Sequence, residues 1–220
     1  KNEAKMEEDA EVMADLKEDG DLPLRLLAGG ILDGPALQLK GVAFGYPGAN
    51  ELFKGAEFTI DGHSRIVFVG ENGNGKTTLV KLILGELQPT AGSIAKNRGA
   101  RIAIVNQHHA DQLDLTMTPL QFMMRKFPGD GSNSHEQTVR SHLAECGVDA
   151  NQMLVTSGAL SGGQRSRVAM AATSFEKPHV LVMDEPTNNL DLGSIEALAE
   201  SVKAFEGGVV LVSHDQFFVS

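Results

Sequence analysis

The chain has 220 residues, 41% hydrophobic and 22% charged, with one cysteine, Cys146, and no tryptophan. This length suits one large domain that holds its core without disulfides, and a single cysteine excludes an internal disulfide or a cysteine-based metal site. No apolar run approaches the ~20 residues of a membrane span, and a net charge of −10 gives no bulk attraction for nucleic acid.

Half of that charge sits in residues 1–25, which carry nine acids and four bases. The cysteine usage fits a reducing, intracellular compartment. No signal peptide is visible, and the first residue is Lys1 rather than Met, so the sequence reads as a fragment whose own start has been cut away. Residues 1–20 have no apolar stripe wide enough to bury a helix face, and they read as a solvated linker. Gly29-Gly30, Gly34 and Pro35 then punctuate the chain.

From Ala36 the pattern changes. Leu37, Leu39 and Val42 alternate with polar or small residues, as in a strand. Glu51–Ile60 reads as a second strand and Arg65–Val69 as a third, short and fully buried. A helix is predicted from near Gly75 to Leu84, ended by Gly85. Ile94 and Arg101–Val105 mark further strands. Pro119–Phe127 and Glu136–Cys146 read as helices separated by a Pro-Gly-Asp-Gly turn. Ser161–Phe175 reads as a helix, Val180–Met183 as a buried strand, Ile195–Phe205 as a helix and Val209–Val212 as a last buried strand. Short apolar strands alternating with helices predict an α/β fold with a parallel sheet covered on both faces.

Gly70-Glu71-Asn72-Gly73-Asn74-Gly75-Lys76-Thr77 fits G-x-x-x-x-G-K-[ST] and follows directly on a predicted strand. Its glycines let backbone N–H groups turn inward around phosphate oxygens, and the helix that starts there adds its positive end. Lys76 would reach the β- and γ-phosphates, and the Thr77 hydroxyl would bind Mg²⁺. By itself the motif does not separate a kinase, a GTPase and an ATPase.

Val180–Met183 leads into Asp184-Glu185. An acid at a strand's C-terminal edge can hold Mg²⁺ through water, as Asp184 would, and Glu185 would sit where a base polarises attacking water. Leu160-Ser161-Gly162-Gly163-Gln164 precedes another helix, with Ser161 as N-cap and two glycines leaving N–H groups accessible. One triphosphate does not need two such helix starts from one chain, so the second would serve a nucleotide held by another domain.

Gly70–Thr77, Leu160–Gln164, Val180–Glu185 and Ser213-His214-Asp215 stand in the order found in ATP-binding cassette (ABC) ATPases, and Leu-Ser-Gly-Gly-Gln is the hallmark of that superfamily. The resemblance implies a P-loop NTPase cassette with a mostly parallel core sheet, a small antiparallel β subdomain and a helical subdomain at about 108–160. It implies ATP and Mg²⁺ as ligands, with Gly70, Glu71, Asn72, Gly73, Asn74, Gly75, Lys76, Thr77 and Thr78 around the phosphates. Gln107 resembles the glutamine that senses Mg²⁺ and the γ-phosphate. His214 resembles the switch histidine, and Asn188-Asn189-Leu190-Asp191 the loop that crosses to a partner domain. Tyr46, the one tyrosine, falls where an aromatic residue commonly stacks on adenine; such stacking is worth ~1–3 kcal/mol. Ser161, Gly162, Gly163 and Gln164 would contact the partner's nucleotide.

Glu185–Asp191 resembles the EPTNxLD run of the ABC-F subgroup, whose members are soluble and translation-associated. Gln107–Leu115, Arg125–Gly129 and Gly207–Asp215 resemble the second cassette of eukaryotic ABC-F proteins of the general-control type. The resemblance covers about residues 36–220 and implies that residues 1–35 end the linker between two cassettes of one polypeptide. It implies a cytoplasmic ATPase that needs a second cassette for full activity and acts on the ribosome, without membrane contact or direct nucleic-acid binding by this piece. Asn189 stands where ABC-F proteins usually have His, and Asn74 where a small residue is usual. The family continues beyond the position of Ser220, so the piece reads as truncated at both ends. His108-His109 fits the family pattern better than a metal site.

Two other readings stay open on the residues. The nucleotide-binding subunit of a membrane transporter would dock its partners on the Gln107–Leu160 segment. A chromosome or DNA-repair ATPase head would carry a long coiled coil between Lys76 and Leu160, where this chain has 83 residues without sustained heptads.

Overall fold

A computed structural model describes residues 23–70, 73–106, 108–187, 190 and 192–213; the linker read at residues 1–20 lies outside them. The described residues fall into two compact units, one within Leu27–His109, Thr173–Pro186 and Phe205–Ser220, the other within Lys1–Leu26, Ala110–Ala172 and Thr187–Ala204.

The first unit holds both sheets. Strands β1 (Leu37–Phe44), β2 (Phe53–Ile60) and β4 (Ala91–Lys96) form an antiparallel sheet in the order β2-β1-β4. Strands β3 (Arg65–Val69), β5 (Ile102–Asn106), β6 (Val180–Asp184) and β7 (Gly208–Ser213) form a parallel sheet in the order β3-β7-β6-β5. Helix α1 (Lys76–Leu84) starts from Gly75 and ends at Gly85, as the glycines predicted. One apolar core unites these layers: Leu37, Leu39 and Val42 of β1, Val80 and Ile83 of α1, Val182 of β6 and Val210 of β7 are all at most 1% exposed. Burying each such side chain contributes roughly 1.5–3 kcal/mol.

Strands β6 and β7 are buried along their apolar lengths, as continuous Val/Leu runs in a parallel sheet demand. Strand β3 is not. Val67 is 41% and Val69 51% exposed, while Ile66 and Phe68 pack against the core. The expectation of a fully buried strand is corrected: β3 is an edge strand among the described residues, with one face on the core and the other open.

The second unit is helical. It contains α2 (Pro119–Lys126), α3 (Asn133–Glu145), α4 (Gly162–Phe175, of which Gly162–Ala172 belong here) and α5 (Leu192–Ala204). Thr118 caps α2 through a reciprocal box with Gln121, and Pro119 fills the first turn, where no N–H is missed. Helix α3 begins three residues before the predicted Glu136, because the Ser132 hydroxyl accepts from the His135 N–H at 3.1 Å. The polar Asn133-Ser134-His135 turn carries no apolar periodicity that would reveal it. Residues 23–26 also belong to this unit. Arg25 N–H donates to Glu145 O at 3.0 Å, and its guanidinium pairs with the Glu145 carboxylate at 3.2 Å. The buried Cys146 thiol donates to Arg25 O, and burial pushes its pKa up to about 12, which makes it unreactive.

The antiparallel sheet contains one tight crossing. β1 bulges after Lys40, where Gly41 adopts φ +58°, and Gly92 of β4 approaches it with φ +79°. A Cβ on Gly92 would lie 2.3 Å from Gly41 O, so the position is closed to any side chain by both conformation and space. Gly92→Ala is expected to destabilise the chain by about 2–3 kcal/mol, from the left-handed conformation plus the clash. Urea unfolding followed by circular dichroism measures it; an unshifted midpoint would mean that the sheet repacks without cost.

Candidate functional site

The parallel register builds the site. Val69 of β3 pairs with Ser213 of β7, Asp184 of β6 with Val212 of β7, and Asn106 of β5 with Asp184. The C-terminal ends of all four strands therefore share one edge, where ligands bind in open parallel sheets. Gly70 leaves β3 at this edge and Glu185 leaves β6 there.

Gly75 caps α1 in the left-handed conformation (φ +83°) with no side-chain hydrogen bond. Gly75 has no side chain to cap the helix, so the start of α1 lines the cavity with backbone, the arrangement that receives anions. Lys76 Nζ donates to Gly70 O, folding back across its own loop. A cavity of about 320 Å³ is lined by Tyr46, Leu52, Gly73, Gly75, Lys76, Thr77, Thr78, Asp184 and Glu185. Of the predicted residues, the structure thus gathers Gly73, Gly75, Lys76, Thr77 and Thr78, the acidic pair and Tyr46 around one space. Leu52, just before β2, was not foreseen; nothing in its own sequence setting marks it.

Burial raises the Asp184 pKa above its ordinary value of 3.8; the neighbouring Glu185 charge also raises it, against the Thr77 hydrogen bond and the Lys76 charge. Asp184 Oδ1 is buried with no hydrogen-bond partner. Glu185 has φ +51°, a conformation that costs a non-glycine residue about 1–3 kcal/mol, and its N–H is tied to Val212 O at 2.9 Å. Strain of this kind leaves no trace in the sequence. Asn74 is exposed on the loop. Tyr46 is 43% exposed, and its ring meets Phe44 edge-on at 5.0 Å.

Leu160–Gln164 lies in the helical unit. Ser161 is the predicted N-cap, within a reciprocal box: Gln164 N–H donates to Ser161 Oγ at 3.2 Å and Ser161 N–H to Gln164 Oε1 at 2.9 Å. A Cβ at Gly162 would meet nothing within 4 Å. Glu71, Asn72, Gln107, His214 and the Asn188, Asn189 and Asp191 of the crossing loop lie outside the described residues. His109 is buried and its ring bonds Asn106 O.

The family model described as ABC transporter matches residues 53–188. The chain belongs to the ABC transporter family. It is an ATP-binding cassette of the F type. It is 47% identical over 186 residues to ABC transporter F family member 3 of Arabidopsis thaliana, covering 84% of this chain and 26% of that protein. It is 43% identical over 184 residues to GCN20 of Saccharomyces cerevisiae, covering 84% and 24%. To ATP-binding cassette sub-family F member 3 of Mus musculus it is 41% identical over 185 residues, covering 84% and 26%. The chain thus spans about a quarter of the length of these relatives. The solved structure of cbiO1 from Clostridium perfringens, part of the ABC transporter complex cbiONQ, superimposes with a TM-score of 0.69 at 24% identity, covering 83% of this chain and 80% of that one. An ABC transporter in an inward-facing conformation gives 0.70 at 22%, covering 85% and 76%. At such identities the likeness establishes the fold, a P-loop cassette with its parallel sheet, antiparallel sheet and helices.

The Asp184 pKa fixes the sign of a stability effect. The folded state holds this proton to higher pH than the unfolded chain does, so stability falls as pH rises from 3.8 through the raised folded value. In nucleotide-free protein at pH 7, Asp184→Asn is expected to raise the denaturation midpoint, with the gain shrinking as pH falls toward 3.8. A lower midpoint at pH 7 would show that Asp184 stabilises the fold rather than being held against it.

Proposed function

We propose that this cassette binds ATP with Mg²⁺, hydrolyses it, and serves an ABC-F protein acting on the ribosome in the cytoplasm. The observation that carries the catalytic part is the cavity where Lys76, Thr77, Asp184 and Glu185 meet at the ends of β3 and β6. Hard oxygen donors suit Mg²⁺, which takes one or two protein oxygens and completes its shell with phosphate and water. Thr77 and Asp184 fit that need, since Asp184 Oδ1 is buried without a hydrogen bond and the Thr77 hydroxyl is beside it. Gln107 would join them. When bound, Mg²⁺ would neutralise charge on the phosphates.

The residues then divide the work. The first-turn amides of α1 and Lys76 would hold the phosphates, with Lys76 leaving Gly70 O for the incoming anion. Glu185 would accept the proton of the attacking water, its position fixed by the Val212 tie. His214 would contact the γ-phosphate, and Tyr46 would stack on the base. Residues 36–220 would form the cassette, with a helical part at about 108–160, and residues 1–35 would lead into it as linker, its residues 23–26 packed on the helical unit. The open space at Gly162 supports a ligand brought by a second cassette to Ser161–Gln164. No helix among the described residues is long and apolar enough to cross a membrane. The ribosomal role rests on the resemblance of Glu185–Asp191 and Gln107–Leu115 to the general-control type.

Glu185→Gln keeps size and hydrogen bonding but not basicity, so hydrolysis should fall on the order of 10²–10⁴-fold while ATP binding persists. Lys76→Ala should lose tight binding. Single-turnover hydrolysis within about threefold of wild type in Glu185→Gln would remove the general-base role. On the proposed ribosomal reading the same variant, within its two-cassette parent, should cosediment with ribosomes in ATP more strongly than wild type. Equal sedimentation would count against that part.

A further inference from the structure

Tyr46 lies in the turn after β1, 32 residues from Thr78 on the first turn of α1, yet their hydroxyls are 3.1 Å apart. Thr78 is buried at 7% exposure, whereas Tyr46 is 43% exposed. The tyrosine ring is held at two points only distantly related in sequence: Phe44 meets it edge-on, and Thr78 meets its hydroxyl. A half-exposed aromatic on a turn otherwise exchanges rotamers freely. A hydroxyl anchored in a helix makes a fixed point, because α1 is packed through Val80, Leu82 and Ile83.

Either hydroxyl can donate, and acidity favours one direction. A phenol, with a pKa of about 10, is a better donor than an aliphatic alcohol. With Tyr46 donating to Thr78 Oγ1, the Thr78 hydrogen is left to turn toward an anion in the cavity. A chain of hydroxyls polarised in one sense strengthens each member.

We propose that Thr78 is a positioning residue for base recognition: it hydrogen-bonds Tyr46 and fixes the ring on which the base stacks, so that base binding is set from the phosphate loop. This rests on the reading of Tyr46 as the base platform, and the experiment separates the two. A tyrosine used for its ring alone would be replaced by phenylalanine without loss. A tyrosine positioned through its hydroxyl would not.

The test is calorimetric titration of the full chain with Mg²⁺ and ATP, GTP or inorganic tripolyphosphate, which has phosphates but no base. Tyr46→Phe should lower the ratio of ATP to tripolyphosphate affinity by about threefold to tenfold, the range of one neutral hydrogen bond, and lower the ratio of GTP to tripolyphosphate in the same direction, since stacking tolerates either base. Thr78→Val should lower both ratios alike. The double variant should be no worse than the larger single effect, since both changes delete one bond. Thr78→Ser, which keeps the hydroxyl, should restore the ratios. If Tyr46→Ala lowers them but Tyr46→Phe matches wild type and the double variant is additive, the positioning role is overturned and Tyr46 remains a platform. If Tyr46→Ala itself leaves the ratios unmoved, the platform reading falls too. Should Thr78→Val fail to fold, Tyr46→Phe and Thr78→Ser decide the question.

Discussion

The Asp184 carboxylate is held where burial works against its charge, and much of the cavity is arranged around that fact. Strand β6 carries it there: Val180–Met183 are buried and hydrogen-bonded on both sides, by β5 and β7, so the strand end cannot shift to reach water. Thr77 and Lys76 partly offset the desolvation, with Glu185 adding to it. A group kept in this state is destabilising in the empty protein and becomes favourable when a cation arrives. The cost is located where binding can recover it. The left-handed backbone at Glu185 belongs to the same pattern, since the Val212 carbonyl of the neighbouring strand holds that residue in place.

The chemistry was legible because it is written in local runs. The phosphate loop needs only a strand, its glycines and a helix start in sequence, and Gly75 and Gly85 bracket α1 within one residue of the reading. Strands β6 and β7 were legible as continuous apolar runs. The same criterion failed for β3, because four apolar residues in a row look alike at an edge and at a centre, and the order β3-β7-β6-β5 joins strands far apart in the chain. The antiparallel sheet was expected from the family resemblance, not from periodicity. Its bulge at Gly41 breaks the alternation of β1, so Val42 and Ala43 are both buried. The Tyr46–Thr78 contact was beyond any local pattern, since it links a turn to a helix through two side chains that share no motif.

Two helix starts invite comparison, because the sequence treats them alike and the structure does not. Helix α1 begins at a glycine, which has no side chain to cap its first-turn amides. Helix α4 begins with a reciprocal box, in which Ser161 Oγ already accepts from Gln164 N–H and Gln164 Oε1 from Ser161 N–H. Two of its polar groups are therefore engaged before any nucleotide approaches. On the proposed reading, what remains for an incoming phosphate is the Ser161 hydroxyl hydrogen and the amides at Gly162 and Gly163. Those donors sit beside open space at Gly162, where a Cβ would meet nothing within 4 Å among the described residues. Packing among the described residues thus gives no reason for glycine there, whereas close approach by an external phosphate does. An uncapped start suits a ligand that is cradled and held through turnover. A capped start with a short free edge suits one that is met and released, since its own fold survives the departure.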